Sequence, residues 1–152
     1  MAAGTSIAVA ESLTGGMVAS LLVNQPGISA VFRGGIVAYH REIKERLLKV
    51  PRDTIDTYGV VSAEVAVAMA RGAAAACESD IAVATTGVAG PGPEDSVAPG
   101  TVWIGREDGR AWLFRLAGDR AAVRADAARI ALEILTEQLS QASQLERILG
   151  EP

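Results

Sequence analysis

A carboxylate, two hydroxyls and two glycines directly follow a short apolar run near the start of the chain. The run Ile7–Ala10 is unbroken and made of small residues, which is typical of a strand buried on both faces of a parallel sheet. The polar stretch Glu11–Gly16 comes next, and a helical period begins at Met17. A strand end that meets a helix start presents free N–H groups and a dipole that favours anions. This stretch is therefore a candidate ligand site; the alternative is a plain turn in which Ser12 or Thr14 caps the helix.

A second strand end has the same character. The apolar stretch Ile81–Ala84 ends in Thr85, Thr86 and Gly87. If the two strands are neighbours, the hydroxyls and N–H groups of both ends line one pocket. The loop Gly87–Gly100 that follows is rich in glycine and proline, so it is either a further part of the site or a disordered connector.

Ser12 is the candidate nucleophile of this pocket, and it needs a base because a free serine hydroxyl hardly ionises near neutrality. The chain has one histidine, His40. A Ser-His-Asp arrangement also requires the elbow G-x-S-x-G around the serine, and residues 10–14 do not provide it. His40 is more simply explained as an exposed residue at a helix start.

The other candidate base is Lys44. A lysine can accept a proton only if burial or neighbouring cations lower its pKa enough to populate the neutral amine. Tyr39, at the end of its strand, is placed to lie between Ser12 and Lys44 and to relay or orient the proton. The alternative role of Lys44 is a solvated charge paired with Glu42 or Glu45.

Composition excludes several classes of protein. The net charge of −4, without a basic run, argues against a nucleic-acid binder. A single cysteine, Cys77, excludes an internal disulfide and fits a reducing compartment. No apolar run reaches about 18 residues and no signal peptide is evident, so we expect a cytoplasmic chain away from membranes. Dinucleotide, P-loop and metal-ligand motifs are absent from the sequence, so we expect neither a metal nor a cofactor.

Strand and helix patterns alternate along the chain and predict a single α/β domain over residues 1–152 with a mostly parallel, or mixed, central sheet. Asp108-Gly109 indicates a hairpin. Residues 52–60 are predicted to be a loop or a short helical turn, and about the last twelve residues to be frayed. The predicted strands are Ile7–Ala10, Val31–Tyr39, Asp80–Gly87, Thr101–Arg106 and Ala111–Leu116, and the main helices are 17–23, 40–48, 63–77 and 119 to about 139.

Several motifs together resemble the C-terminal domain of the CinA (competence/damage-inducible) proteins, in the right order and over nearly the whole chain. They are Ala10–Gly16, Phe32–Tyr39 with Lys44 and Arg46–Leu48, Tyr58–Ala66, Thr86–Gly92, Pro99–Ile104, and Gly118–Arg120 with Arg124.

This resemblance implies a three-layer α/β/α fold, often dimeric, and an amidohydrolase activity. The family's activity is deamidation of nicotinamide mononucleotide (NMN) to nicotinate mononucleotide and ammonia. The resemblance favours lysine over histidine as the base. Its catalytic residues correspond here to Ser12, Lys44 and Tyr39, and the expected substrate-binding residues are Glu11, Thr14, Gly15, Gly16, Thr86, Gly87 and Arg120.

Two departures from the family pattern keep other functions open. His40-Arg41 stands where the family usually has Ser-Asn, and Leu13 where it usually has cysteine. The cationic pair could lower the pKa of Lys44 or change the substrate. The alternatives are a non-catalytic nucleotide-binding or interaction module of the same fold, and an amidase for another amide. Larger family members carry an N-terminal domain associated with pyrophosphatase activity, which is not expected here.

Overall fold

The computed structural model describes residues 4–149, with the side chains of residues 4–137. Its centre is a five-stranded sheet formed by β1 (Ile7–Glu11), β2 (Phe32–Val37), β3 (Ile81–Gly87), β4 (Thr101–Arg106) and β5 (Ala111–Arg115). The strand order is β2–β1–β3–β4–β5. The first three strands of this order are parallel, and β4 and β5 extend the sheet in antiparallel fashion. The sheet is therefore mixed, as the α/β prediction requires.

Helices cover both faces of this sheet. Along β1, Ile7 and Val9 belong to one apolar core and Ala8 and Ala10 to the other, because successive side chains of a strand point to opposite faces. One core is shared with α1 and α5, and the other with α2, α3 and α4, so the fold is a three-layer α/β/α sandwich. The helices are α1 (Met17–Val23), α2 (Arg41–Leu47), α3 (Arg52–Tyr58), α4 (Ala63–Cys77) and α5 (Arg120–Leu149), with a 3-10 turn at Ile28–Ala30.

The small residues of α4 allow unusually close packing. A Cβ added to Gly105 of β4 would lie 2.3 Å from the carbonyl carbon of Ala66. A Cβ added to Gly72 of α4 would lie 2.0 Å from the carbonyl oxygen of Leu48, the C-cap residue of α2. Helix α4 thus fixes α2 as well as the sheet, and α2 carries one of the candidate site residues.

Two predicted boundaries change in the structure. Of the two alternatives predicted for residues 52–60, the helical one is confirmed, and it is longer than a single turn: Arg52–Tyr58 form the helix α3. The C-terminal helix continues to Leu149 instead of ending near Leu139, because residues 140–149 contain neither glycine nor proline and are mostly good helix formers. The remainder of the segment predicted to be frayed, residues 150–152, lies outside the described residues. Within the described part, none of the helices has both the length and the apolar composition of a membrane span.

Candidate active site

The candidate site lies where β1 and β3 end, at the same edge of the sheet. The Ser12 backbone N–H donates to the Thr85 carbonyl over 3.0 Å, which extends the pairing of β1 and β3 to the serine. The Thr14 and Thr85 hydroxyls are hydrogen-bonded at 2.8 Å and are buried. The third parallel strand is joined to this edge by the Ala38 N–H, which donates to the Glu11 carbonyl over 2.8 Å. Three chain segments therefore converge on Ser12.

Lys44 is brought to Ser12 by the turn between β2 and α2. Its Nζ lies 2.9 Å from Ser12 Oγ, 2.8 Å from the Ala38 carbonyl oxygen and 3.4 Å from the Tyr39 carbonyl oxygen. Lys44 is 2% exposed and Ser12 is 7% exposed. The solvated, ion-paired alternative for Lys44 is wrong, because Glu45 pairs instead with Arg41 and Arg52.

Burial is the main reason that the pKa of Lys44 falls from 10.5 to about 8, since the apolar surroundings penalise the charged amine. The Glu94 carboxylate acts in the opposite direction and raises this pKa. The suggestion that His40 and Arg41 lower it is wrong, because neither contributes. Arg41 is ion-paired with Glu45 and Asp56.

His40 is an exposed residue at the start of α2, as expected from its position. It is the N-cap of the helix, and its Nδ1 accepts a hydrogen bond from the Glu42 N–H over 3.4 Å. The Ser12 hydroxyl is hydrogen-bonded to Lys44 and not to His40. Lys44 is therefore the candidate base beside the serine.

The three hydrogen-bond partners of Lys44 can all accept from the charged amine, and they also fit the neutral amine. A neutral amine has two N–H bonds and one lone pair. The Ala38 and Tyr39 carbonyls can accept its two hydrogens, since a carbonyl oxygen only accepts. The lone pair then faces Ser12, whose hydroxyl can donate to it across the 2.9 Å contact. In this arrangement Lys44 can remove the proton from the serine.

Glu11 is placed differently from the expected substrate contact. It is 1% exposed, and its two carboxylate oxygens accept hydrogen bonds from the Val18 and Ala19 N–H groups over 2.8 and 3.1 Å. The Met17 N–H donates to the Thr14 carbonyl. The first amides of α1 are thus occupied, and the expectation that they are free for a substrate anion is wrong: a carboxylate of the chain already takes that position. Glu11 supports the turn that carries Ser12.

The turn after Ser12 is held from outside by Arg124 of α5. Its guanidinium donates to the Leu13 carbonyl over 2.8 Å and to the Thr14 carbonyl over 3.2 Å. Gly15 and Gly16 have φ values of +58° and +100°, which favour glycine. The Gly15 N–H donates to the Ser12 carbonyl.

Two amides of the same turn remain available. Among the described residues, the N–H groups of Leu13 and Thr14 have no hydrogen-bond acceptor. Both directly follow Ser12 in the chain. Leu13 also lines the pocket that contains Ser12, so its N–H is the candidate donor to an oxyanion beside the serine.

Ser12 and Lys44 open into a narrow pocket of about 50 Å³. Of the expected site residues, the structure brings Ser12, Lys44, Tyr39, Thr86, Gly87 and Arg120 to this pocket, and Glu11, Thr14, Gly15 and Gly16 do not line it.

Thr86 and Gly87, at the end of β3, form part of the wall of this pocket. The Thr86 hydroxyl donates to the Val60 carbonyl over 2.8 Å. A Cβ on Gly87 would lie 2.6 Å from the Thr101 carbonyl oxygen, so glycine is required there for the approach of β4. Both residues therefore shape the pocket wall through contacts within the chain.

Tyr39 does not lie between Ser12 and Lys44, because the two contact each other directly. Its hydroxyl accepts a hydrogen bond from Arg120 over 3.1 Å, and Arg120 also donates to the Gly90 carbonyl over 2.8 Å. The predicted relay position is therefore wrong. Tyr39 and Arg120 instead link the end of β2 to the loop after β3 at the mouth of the pocket.

A larger cleft of about 510 Å³ adjoins the pocket and shares four lining residues with it: Tyr39, Lys44, Val60 and Glu94. Cavities of this size accommodate small-molecule ligands. Sequence reasoning missed Val60 and Glu94. The glycine- and proline-rich loop that contains Glu94 was the available signal, but it does not indicate which residue faces the pocket.

Comparisons with known proteins identify the family of this chain. Residues 1–139 match the family model of the CinA C-terminal domain. A CinA-like protein of Geobacter sulfurreducens is 45% identical over 141 residues, which are 90% of this chain and 34% of that protein. A CinA-like protein of Thermotoga neapolitana is 42% identical over 139 residues, 90% of this chain and 34% of that protein. The chain thus spans about one third of the length of these relatives.

Solved structures of the same superfamily have the same fold. A CinA superfamily protein from Klebsiella pneumoniae 700603 is 35% identical with a TM-score of 0.86, over 91% of this chain and 89% of that one. A competence/damage-inducible protein from Agrobacterium tumefaciens is also 35% identical, with a TM-score of 0.82 over 90% and 86%. With the family model matching most of its length, the chain belongs to the CinA C-terminal domain family.

Proposed function

We propose that this domain is an amidohydrolase that converts NMN to nicotinate mononucleotide and ammonia, with Ser12 as nucleophile and Lys44 as base. The observation that carries the proposal is the 2.9 Å contact between Lys44 Nζ and Ser12 Oγ inside a buried pocket. A serine becomes a useful nucleophile when such a base is within hydrogen-bond reach. The choice of NMN follows from the family resemblance.

The reaction begins with removal of the serine proton. Lys44 accepts it as Ser12 Oγ attacks the carboxamide carbon, and the carbonyl oxygen gains negative charge. The N–H group of Leu13, which lines the pocket and has no acceptor among the described residues, is the candidate donor to this oxyanion. A donor of this kind contributes about 3 kcal/mol in enzymes where it has been measured.

The second half of the reaction restores the serine. The C–N bond breaks, protonated Lys44 gives its proton to the leaving nitrogen, and ammonia departs from an acyl-serine ester. Water then attacks the ester carbon and gives a proton to Lys44, which returns it to Ser12 Oγ. The products are the free acid, ammonia and the original enzyme.

The two adjoining cavities suit a substrate with a small reacting group and a larger remainder. The narrow pocket has room for the carboxamide, and the cleft of about 510 Å³ has room for the ribose phosphate. Arg120 lines the narrow pocket and donates to Tyr39, a residue shared by both cavities, so it is the proposed contact for a phosphate at their border. Two of its N–H groups are used, by Gly90 and Tyr39, and a guanidinium has five.

Ammonia release from NMN, measured with wild type, Ser12→Ala and Ser20→Ala, tests the proposal. Ser20 is an exposed serine of α1 and serves as the matched control. We expect Ser12→Ala to lose at least about 1,000-fold in kcat/KM and Ser20→Ala to equal wild type. Wild type that binds NMN without releasing ammonia would support the non-catalytic module, and release from another amide alone would identify a different amidase.

A further inference from the structure

Glu94 is a charged residue of the site to which the proposed reaction assigns no role. It lines both the narrow pocket with Ser12 and Lys44 and the adjoining cleft. Its backbone is held in place by two hydrogen bonds with Val97, of 3.1 and 2.8 Å. The residues between them, Asp95 and Ser96, have φ values of +46° and +64°, which make a tight two-residue turn.

Glu94 is the one acidic side chain among the residues that line the narrow pocket. The other charged side chains that line the pocket are the cations Lys44 and Arg120. Glu94 is close enough to Lys44 to raise the pKa of its amine. In the described part of the chain, Glu94 forms neither an ion pair nor a side-chain hydrogen bond, so its charge is available to a ligand.

The ring that carries the carboxamide of NMN is a pyridinium and has a positive charge. A positive ring that enters a pocket walled by Lys44 and Arg120 meets repulsion from the guanidinium, and also from Lys44 when its amine is protonated. A carboxylate on the same wall offsets that repulsion. A neutral ring is not stabilised by the charge of this carboxylate.

We propose that Glu94 is a specificity-determining residue that selects amides on a cationic ring over amides on a neutral ring. The inference rests on the proposed function and deepens it, because it names the charge state of the ring that the site accepts. It assigns Glu94 no part in proton transfer. The reduced form of NMN is the informative competitor, because it has the same carboxamide and ribose phosphate on an uncharged dihydropyridine ring.

The test measures dissociation constants of NMN and reduced NMN by titration calorimetry. The proteins are Ser12→Ala, which prevents turnover, and the double variants Ser12→Ala/Glu94→Gln and Ser12→Ala/Glu42→Gln. Glu42 is an exposed acid two residues from Lys44 that lines neither cavity, so it controls for the loss of one negative charge. At pH 9 Lys44 is mostly neutral, which keeps its protonation out of the comparison.

We expect Glu94→Gln to weaken NMN binding about fivefold, as for a charge pair open to solvent, and to change binding of reduced NMN less than twofold. Glu42→Gln should change neither. Equal losses for both ligands, or no loss for NMN, would overturn the assignment. Ammonia release from NMN by the wild-type chain is measured in parallel. If ammonia is released but Glu94→Gln has no selective effect, this inference fails and the proposed function stands. If no ammonia is released, the proposed function itself fails.

Discussion

Lys44 is buried in surroundings that disfavour its charged form, and the folding equilibrium must depend on this. Its pKa is about 8 in the folded chain and 10.5 is the ordinary value expected after unfolding. Between these pH values the unfolded chain binds more protons, so stability rises with pH and reaches its full value above 10.5. Below pH 8 the buried amine carries its charge and the penalty is constant.

Comparison of wild type with Lys44→Met isolates this effect. We expect the free energy of unfolding of wild type, minus that of the variant, to increase by about 3 kcal/mol between pH 7.5 and pH 10.5. Urea denaturation at several pH values measures it. A difference that stays constant over this range would mean that Lys44 keeps an ordinary pKa in the folded chain.

At this scale the sequence alone disfavours His40 as the base, because the elbow motif is missing, but it gives no positive evidence for Lys44. Both residues fall in the same segment after β2, and the choice depends on which one faces the strand end. The structure decides it by making His40 the N-cap of α2 and turning Lys44, one helical turn later, towards Ser12. The resemblance to the CinA family identifies the lysine without this information, but the direct Ser12–Lys44 contact comes from the structure.

The turn between β1 and α1 is stabilised by a carboxylate from the strand. Glu11 accepts hydrogen bonds from two amides of α1 that would otherwise lack partners in a buried site. This arrangement joins the strand end to the helix start and sets the position of Ser12 between them. The sequence suggests a capped helix here but points to Ser12 or Thr14 as the cap.

We expect Glu11→Gln to lower the free energy of unfolding by about 2 kcal/mol, because one accepting oxygen becomes an N–H donor that faces a backbone N–H. Urea denaturation measures the loss. Glu42→Gln, the exposed control on α2, should stay within about 0.5 kcal/mol of wild type. Equal stability of the two variants would contradict the capping role of Glu11.

The contact between Gly72 of α4 and Leu48, the C-cap residue of α2, also positions the site. By helix propensity, Gly72→Ala in α4 should stabilise the chain by about 1 kcal/mol. Because the new Cβ would lie 2.0 Å from the Leu48 carbonyl oxygen, we expect instead a loss of about 2 kcal/mol and a displacement of α2 that lowers kcat/KM for NMN. Thermal unfolding and ammonia release measure the two effects, and a more stable, fully active variant would contradict this packing.

For the whole molecule, the order of the strands is what creates a site. β1 lies between β2 and β3 with all three parallel, so three carboxyl ends meet at one edge. The strands, the hairpin and most helices are predictable, because apolar runs, helical periods and Asp108-Gly109 are local signals. The placement of Glu94 and Val60 depends on the paths of irregular loops, for which the sequence has no comparable signal.

The most direct test of the central claim is ammonia release from NMN as a function of pH by wild type and Lys44→Ala. Lys49→Gly is the matched control, because Lys49 is exposed and its φ of +56° suits glycine. We expect a wild-type kcat/KM that rises with pH, is half-maximal near pH 8 and reaches its plateau about one pH unit higher, a loss of at least about 100-fold in Lys44→Ala, and an unchanged rate in Lys49→Gly. Equal rates for wild type and Lys44→Ala, or a wild-type rate that falls as pH rises from 7 to 9, would contradict it.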